Sequence, residues 1–174
     1  MNPAGFCGTN PSGCIVNKRA IINKIIAKLA GELEVYVRAA QFARAEATHE
    51  QNKAEHKYDT RGLEASYLAR GQSRQAAELE AALAEFEKLD PRPFAAGEAI
   101  ALGALVELEH GGEKSLYFLG PRAGGTEVVH DRREILVITP QSPLGTQLLG
   151  GKQGDCPPLH FGGRQQPAKI TRVG

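Results

Sequence analysis

Proline is absent from the whole stretch between Gly13 and Asp90, in a chain that has ten prolines in all. Without that helix-breaking ring, the stretch is free to form helices longer than a compact core requires. Tryptophan is also absent, methionine occurs once, and aromatic residues make up only 6% of the sequence. An excess of one charge is lacking too. The formal net charge is +1, so there is no global basic footprint of the kind a DNA-binding protein carries, and any nucleic-acid contact must be local. The three cysteines, Cys7, Cys14 and Cys156, are odd in number and form no CxxC pair, which argues against a disulfide framework and a structural zinc site. A reducing cytoplasm is the expected compartment. No apolar run approaches the roughly 18 residues that span a bilayer. The opening Met1-Asn2-Pro3-Ala4-Gly5 lacks the basic and apolar regions of a signal peptide.

What is present is a helical rhythm. Apolar or small residues recur at alternating steps of four and three through Ile22, Ile26, Leu29, Leu33, Tyr36, Ala40, Ala43 and Ala47, the spacing of a helix that buries one stripe against a partner. A second stripe follows through Tyr58, Arg61, Ala65, Leu68, Gln72, Gln75, Leu79, Ala82, Phe86 and Leu89. The two predict an antiparallel coiled-coil hairpin over residues 17–90, folding back near Thr48. Both stripes lose bulk toward the fold-back, so the hairpin is expected to be slimmest at its far end. A first helix of about 30 residues would reach on the order of 45 Å. Such a finger serves either to place its tip somewhere or to pair with another copy as a coiled coil.

Pro3 and Pro11 are the only prolines before Pro91, and only Gly5, Gly8, Gly13, Gly31, Gly62 and Gly71 precede it among the glycines. The turn-forming residues therefore crowd into the remainder, and a domain boundary is expected at Asp90-Pro91-Arg92-Pro93. Residues 1–16 show no period and read as a disordered leader. After Pro93 the period falls toward two. Ala104 to Glu109 and Ser115 to Leu119 flank His110-Gly111-Gly112 as a hairpin would, and further strands are expected over Glu127 to His130, Glu134 to Ile138 and Ala168 to Val173. Ser142 followed by Pro143 predicts an N-cap and first helical position for a short helix running to Leu149. The expected fold class is α+β, a helical hairpin followed by a small domain of five or six strands and one helix over residues 91–174.

The run Ile138-Thr139-Pro140-Gln141-Ser142-Pro143-Leu144-Gly145-Thr146-Gln147-Leu148-Leu149-Gly150-Gly151-Lys152-Gln153-Gly154-Asp155 resembles a segment of the GreA/GreB transcription elongation factors, with one additional glycine before Lys152. Leu102 to Leu108 is similar to the first carboxy-terminal strand of that family, and Tyr58 to Leu63 is similar to the start of its second helix. The resemblance covers about residues 18 to 174. It implies an amino-terminal coiled-coil finger followed by an FKBP-like domain. It further implies a cytoplasmic, monomeric factor that binds RNA polymerase at the mouth of its secondary channel, with Ser142 and Pro143 as the family-like partner-binding positions. The finger would enter the channel to modulate elongation. Catalytic residues, metal sites and a cofactor of the chain's own are not implied. The tip would at most help hold a Mg²⁺ in the polymerase active centre while backtracked RNA is cleaved, and nascent RNA is a further expected contact.

The family's acidic tip positions fall on His49 and Asn52, and neither carries the negative charge a hard cation prefers. The acids nearby are Glu46, Glu50, Glu55 and Asp59. Glu46 and Glu50 are spaced i, i+4, as are Glu55 and Asp59, so each pair would share a helical face. Glu50, with Glu55, can be read as a displaced acidic tip, or as solvated helix charge beside Lys53, Lys57 and Arg61. Thr48-His49-Glu50-Gln51 fits a capping box, which predicts that the second helix starts after Thr48 and gives Glu50 a structural role. Lys18, Arg19, Lys24 and Lys28 at the base of the first helix read as snorkelling surface charge, with no interleaved aromatics to stack nucleotides.

Three alternatives stand beside this reading: a Gre-like regulator that does not stimulate cleavage, a coiled-coil interaction protein unrelated to polymerase, and a prolyl isomerase. The last is opposed by the aromatic content after Pro93, limited to Phe94, Tyr117, Phe118 and Phe161. No nucleophile, base and acid constellation is legible around Cys156, and His110, His130 and His160 read as turn or strand-edge residues. Translation is expected to begin at Val16, just before the helical pattern; N-terminal mass spectrometry of the native protein checks this.

Overall fold

The computed structural model describes residues 17–48, 61–95, 97–161 and 164–174. The leader, Cys7, Cys14 and Val16 lie outside the described residues. Helix α1 spans Lys18–Thr48, 31 residues, and helix α2 spans Arg61–Glu87, 27 residues. Asn17 begins α1 by accepting a hydrogen bond from the Ala20 amide through its side-chain oxygen at 3.1 Å. The helices run antiparallel. At one end Ile22 and Leu29 share a core with Ala82 and Phe86, and at the other the Arg44 guanidinium reaches the Ser73 hydroxyl.

The stripe on α1 packs as expected, with Ile22, Leu29, Ala40 and Ala43 buried. On α2 the outer part of the stripe lies elsewhere. Leu68 is 53% exposed and Gln75 is exposed, while Ala69 and Ala76 are buried in their place. Small residues thus line the inner face of both helices in their outer part, Ala40 and Ala43 on α1 and Ala69 and Ala76 on α2, a composition that allows close backbone packing. Nearer the sheet Leu79, Ala82 and Phe86 are the inner residues, as the spacing predicts.

After Glu87 the chain turns, with the Leu89 amide donating to the Phe86 carbonyl, and the prolines lead it away. Five strands form a mixed sheet: β1 Leu105–His110, β2 Glu113–Leu119, β3 Glu127–His130, β4 Arg133–Ile138 and β7 Lys169–Val173, in the order β3-β4-β2-β1-β7. All neighbours are antiparallel except β2 and β4, which pair in parallel with Leu116 opposite Ile135. Between Ile138 and β7 lie the short helix α3, Pro143–Leu148, and a separate hairpin of β5, Pro158–Phe161, and β6, Arg164–Pro167. The β5–β6 hairpin is an addition to the five or six expected strands. Its signal was the Gly162-Gly163 pair between Phe161 and Arg164, the composition of a two-residue hairpin loop.

Each face of the sheet has its own core. One face places Leu105, Phe118, Ile135 and Val137 beneath Ile21, Ile22, Ile25 and Phe86 of the hairpin. The other places Val106, Leu108, Leu119 and Ile138 against Ile100, Leu148 of α3 and Leu159 of β5. Alternation along β1 sorts its residues between the two. Phe86 and Phe118 stack with ring centroids 6.4 Å apart. Gly120 makes room for that contact, since a Cβ there would come within 2.8 Å of Phe86 Cζ.

Phe86→Ala is expected to cost about 3–5 kcal/mol of stability, read as a lowered urea midpoint. Gly120→Ala is expected to cost about 1–3 kcal/mol by displacing the same ring.

Candidate functional site

Contacts between the hairpin and the sheet stop part-way along the helices. On α1 the residues that meet the sheet core end at Leu29, and farther out the buried positions, Ala40 and Ala43, face α2. The outer half is therefore a free-standing finger. Its seam is alanine, and it presents apolar side chains to solvent: Phe42 is 69% exposed, and Val35, Leu63, Tyr67 and Leu68 are also exposed. Val35 and Phe42, seven residues apart, continue the stripe that Ile21 and Lys28 begin at the base. The finger surface also holds ion pairs of Arg38 with Glu34 on α1 and of Arg74 with Glu78 on α2.

The expected tip residues His49, Glu50, Asn52, Glu55 and Asp59 lie outside the described residues. Thr48 belongs to α1, where its hydroxyl donates to the carbonyls of Arg44 at 3.0 Å and Ala45 at 3.2 Å. Thr48 thus belongs to the last turn of the first helix, and the other residues of the expected capping box, His49 to Gln51, lie outside the described residues. A threonine inside a helical turn finds an acceptor one turn back more readily than an amide ahead of it.

The basic residues at the finger's foot do more than snorkel. Lys24 donates to the Val129 carbonyl at 2.6 Å and Lys28 to the Glu127 carbonyl at 2.8 Å, both on edge strand β3. Lys18 donates to the carbonyl of Gly103 at 3.1 Å. Arg122 joins Glu85 of α2 at 2.5 Å. These bonds tie the foot to the sheet domain on several sides, and only Arg19 of the basic cluster remains as exposed charge without such a tie.

The Ile138 to Asp155 segment forms the end of β4, helix α3 and the turn that follows. Ser142 Oγ accepts from the Gly145 amide at 3.0 Å and donates to the Thr139 carbonyl at 2.7 Å, while Pro143 takes the first helical position. Gly145 sits so close to this turn that a Cβ would lie 1.9 Å from the Thr139 carbonyl oxygen. Asp155 closes the last turn by accepting from the Lys152 amide at 2.8 Å. Pro143, Thr146 and Leu149 form the exposed side of α3.

One site escaped the sequence reading. Glu107 of β1 is buried and points to the hairpin-facing side of the sheet, where Lys114 Nζ and Arg133 Nη1 each lie 3.1 Å from its carboxylate and the Thr171 hydroxyl lies 2.8 Å from it. Burial alone would raise its pKa. The bonds from Thr171 and Lys114, with the charges of Lys114 and Arg133, outweigh burial and hold it below the usual glutamate value. The available signal was an acid at an inward position of an alternating strand, Leu105-Val106-Glu107.

His110 and His130 end strands β1 and β3, and His160 lies in β5, as read. Cys156 is exposed. Among the described residues no group of three or more His, Cys, Asp or Glu side chains is arranged to hold a metal ion, and no helix is long and apolar enough to cross a membrane.

The solved structures that align with the chain include three of Gfh1. The GreA factor homolog 1 (Gfh1) protein of Thermus thermophilus is 25% identical with a TM-score of 0.36, covering 86% of this chain and 94% of that one. A second structure of the transcription factor Gfh1 is 25% identical with a TM-score of 0.38, over 85% and 92%. Thermus aquaticus Gfh1 is also 25% identical with a TM-score of 0.38, over 84% and 92%. No protein-family model and no curated protein sequence matches the chain.

Because its folded pKa is depressed, Glu107 contributes stability that is present above the ordinary glutamate range and is lost as pH falls through the folded value. Glu107→Gln is expected to lower stability at pH 7 by about 1 kcal/mol, limited by the exposure of Lys114 and Arg133. It should also flatten the acid limb of a stability–pH profile below about pH 4.5, measured by urea unfolding.

Proposed function

We propose that the chain is a Gre-type regulator that binds RNA polymerase at its secondary channel and inserts the helical finger to modulate elongation. The observation that carries this reading is the finger itself: a 31-residue helix that needs only its first turns to pack on the sheet and continues outward with a thin alanine seam. A slim, tightly paired hairpin suits entry into a confined channel, because small side chains bring the backbones close. The Ser142-Pro143 segment supports the same reading, and the exposed side of α3 offers a surface for the partner. In this role the protein is a binding factor with no catalysis of its own, acting in the cytoplasm as a monomer, with contact to nascent RNA left to the tip.

Stimulation of RNA cleavage would require the tip to offer oxygen ligands to a Mg²⁺ shared with the polymerase. His49 and Asn52 stand at the positions the family fills with acids, so that activity would fall to Glu50 and Glu55. The reading favoured by these residue types is channel occupancy without cleavage. A second reading, a coiled-coil interaction protein that does not meet polymerase, draws on the exposed Val35, Phe42, Leu63, Tyr67 and Leu68 of the finger.

Direct binding to core RNA polymerase separates the two. Competition with an authentic Gre factor is expected, and no binding at micromolar concentration overturns the channel reading. Phe42→Ser is expected to leave stability within about 0.5 kcal/mol of the parent and to weaken polymerase binding roughly tenfold through its exposed ring. Glu50→Ala in a transcript-cleavage assay is expected to change nothing.

A further inference from the structure

A cavity of about 250 Å³ opens where three parts of the chain meet: the first turn of α1, the linker that leaves α2, and the β1–β7 side of the sheet. Phe94, Leu105 and Val173 supply apolar lining, and Lys18, Arg133 and Arg172 supply cations. Lys18 is the unusual member. It is only 7% exposed, yet its ammonium, with three protons to donate, meets one acceptor, the Gly103 carbonyl, and the face of Phe94 at 4.4 Å. Among the described residues no carboxylate lies within ion-pair distance of it. A buried charge without such a partner is costly. Burial first, and the nearby charge of Arg92 second, lower its pKa to about 8 against the opposing influence of Glu98 and Asp90.

Neither carboxylate of the lining, that of Glu107 or the terminal one of Gly174, is ion-paired with Lys18. Glu107 Oε1 takes Lys114 and Thr171, and Oε2 takes Arg133. The cavity thus combines an apolar wall with three cationic side chains, among them a buried ammonium that has one hydrogen-bond acceptor and no ion-pair partner among the described residues.

We propose that this cavity binds a small organic anion: one carboxylate or phosphate group on a flat apolar body. The anionic group is taken by the Lys18 ammonium with Arg133 and Arg172, and the body lies against Phe94, Leu105 and Val173. Such a ligand touches the helix start, the linker and the sheet at once, so its binding stabilises the foot of the finger against the sheet domain by mass action. The volume limits the body to about one ring, below the usual range of drug-sized pockets. The proposal does not depend on polymerase binding.

The test uses the full chain with benzoate, phenyl phosphate and uncharged benzamide as probes, followed by amide NMR titration and thermal unfolding. Benzoate, phenyl phosphate or both are expected to shift the amide resonances of Gly103, Leu105 and Val173 at up to millimolar concentration and to raise the melting temperature; which one binds more tightly identifies the anionic group. Benzamide is expected to do neither. Lys18→Met is expected to weaken anion binding at least roughly tenfold. Arg172→Gln provides the same comparison if Lys18→Met does not fold. Absence of shifts with both anions, equal shifts with benzamide, or undiminished binding in the folded variant overturns the proposal.

Discussion

The seating of Phe86 on the sheet is the contact on which the rest of the molecule depends. Its ring stacks on Phe118, occupies the space left by the missing side chain of Gly120, and joins Ile21, Ile22 and Ile25 over one face of the sheet. A helical hairpin alone would bury only its narrow inner seam. With the sheet beneath its foot, it gains a second apolar face and a fixed direction. The isoleucines of the first turns of α1 are consumed in this contact, which leaves the alanines beyond Leu29 to pair with α2 alone. Large side chains at the base and small ones beyond it divide the hairpin into an anchored foot and a free finger.

Electrostatics reinforces that division. Lys24 and Lys28 donate to carbonyls of β3, which as an edge strand has backbone groups without a strand partner. Each lysine keeps its stem along the helix and its charge at the domain boundary, so the cations act as ties where a surface reading would leave them solvated. Glu107 performs a comparable task inside the sheet, drawing Lys114 of β2, Arg133 of β4 and Thr171 of β7 toward β1. The carboxylate thereby links four strands on the hairpin-facing side of the sheet.

The legible parts of the fold were those in which one stretch of chain contains its own reason. The proline-free run and its four-three rhythm predicted α1 to within a residue or two, and Ser142-Pro143 predicted the start of α3 because a cap acts over three residues. The second helix was less legible. Leu68 and Ala69 both satisfy a helical stripe, and which of them turns inward depends on packing against α1, which neither residue encodes by itself. The Thr48 hydroxyl serves carbonyls one turn back, a use its place in a capping-box pattern does not announce. Of the candidate site, the finger and the α3 cap were legible from sequence. The ties of Lys18, Lys24 and Lys28 were not, because each joins residues at least 85 positions apart.

By itself the sequence determined the helical finger, the change to short strands after Asp90, and the capped turn at Ser142, since period, proline placement and side-chain capping all act locally. Only the tertiary structure decided that β2 and β4 pair in parallel and that the finger's foot rests on their face. It alone brought Lys18 and Arg172 to one cavity and Glu107 into the grip of three other strands. Those outcomes depend on which distant surfaces exclude water together, and burial against a remote partner leaves no periodic trace in the residues that undergo it.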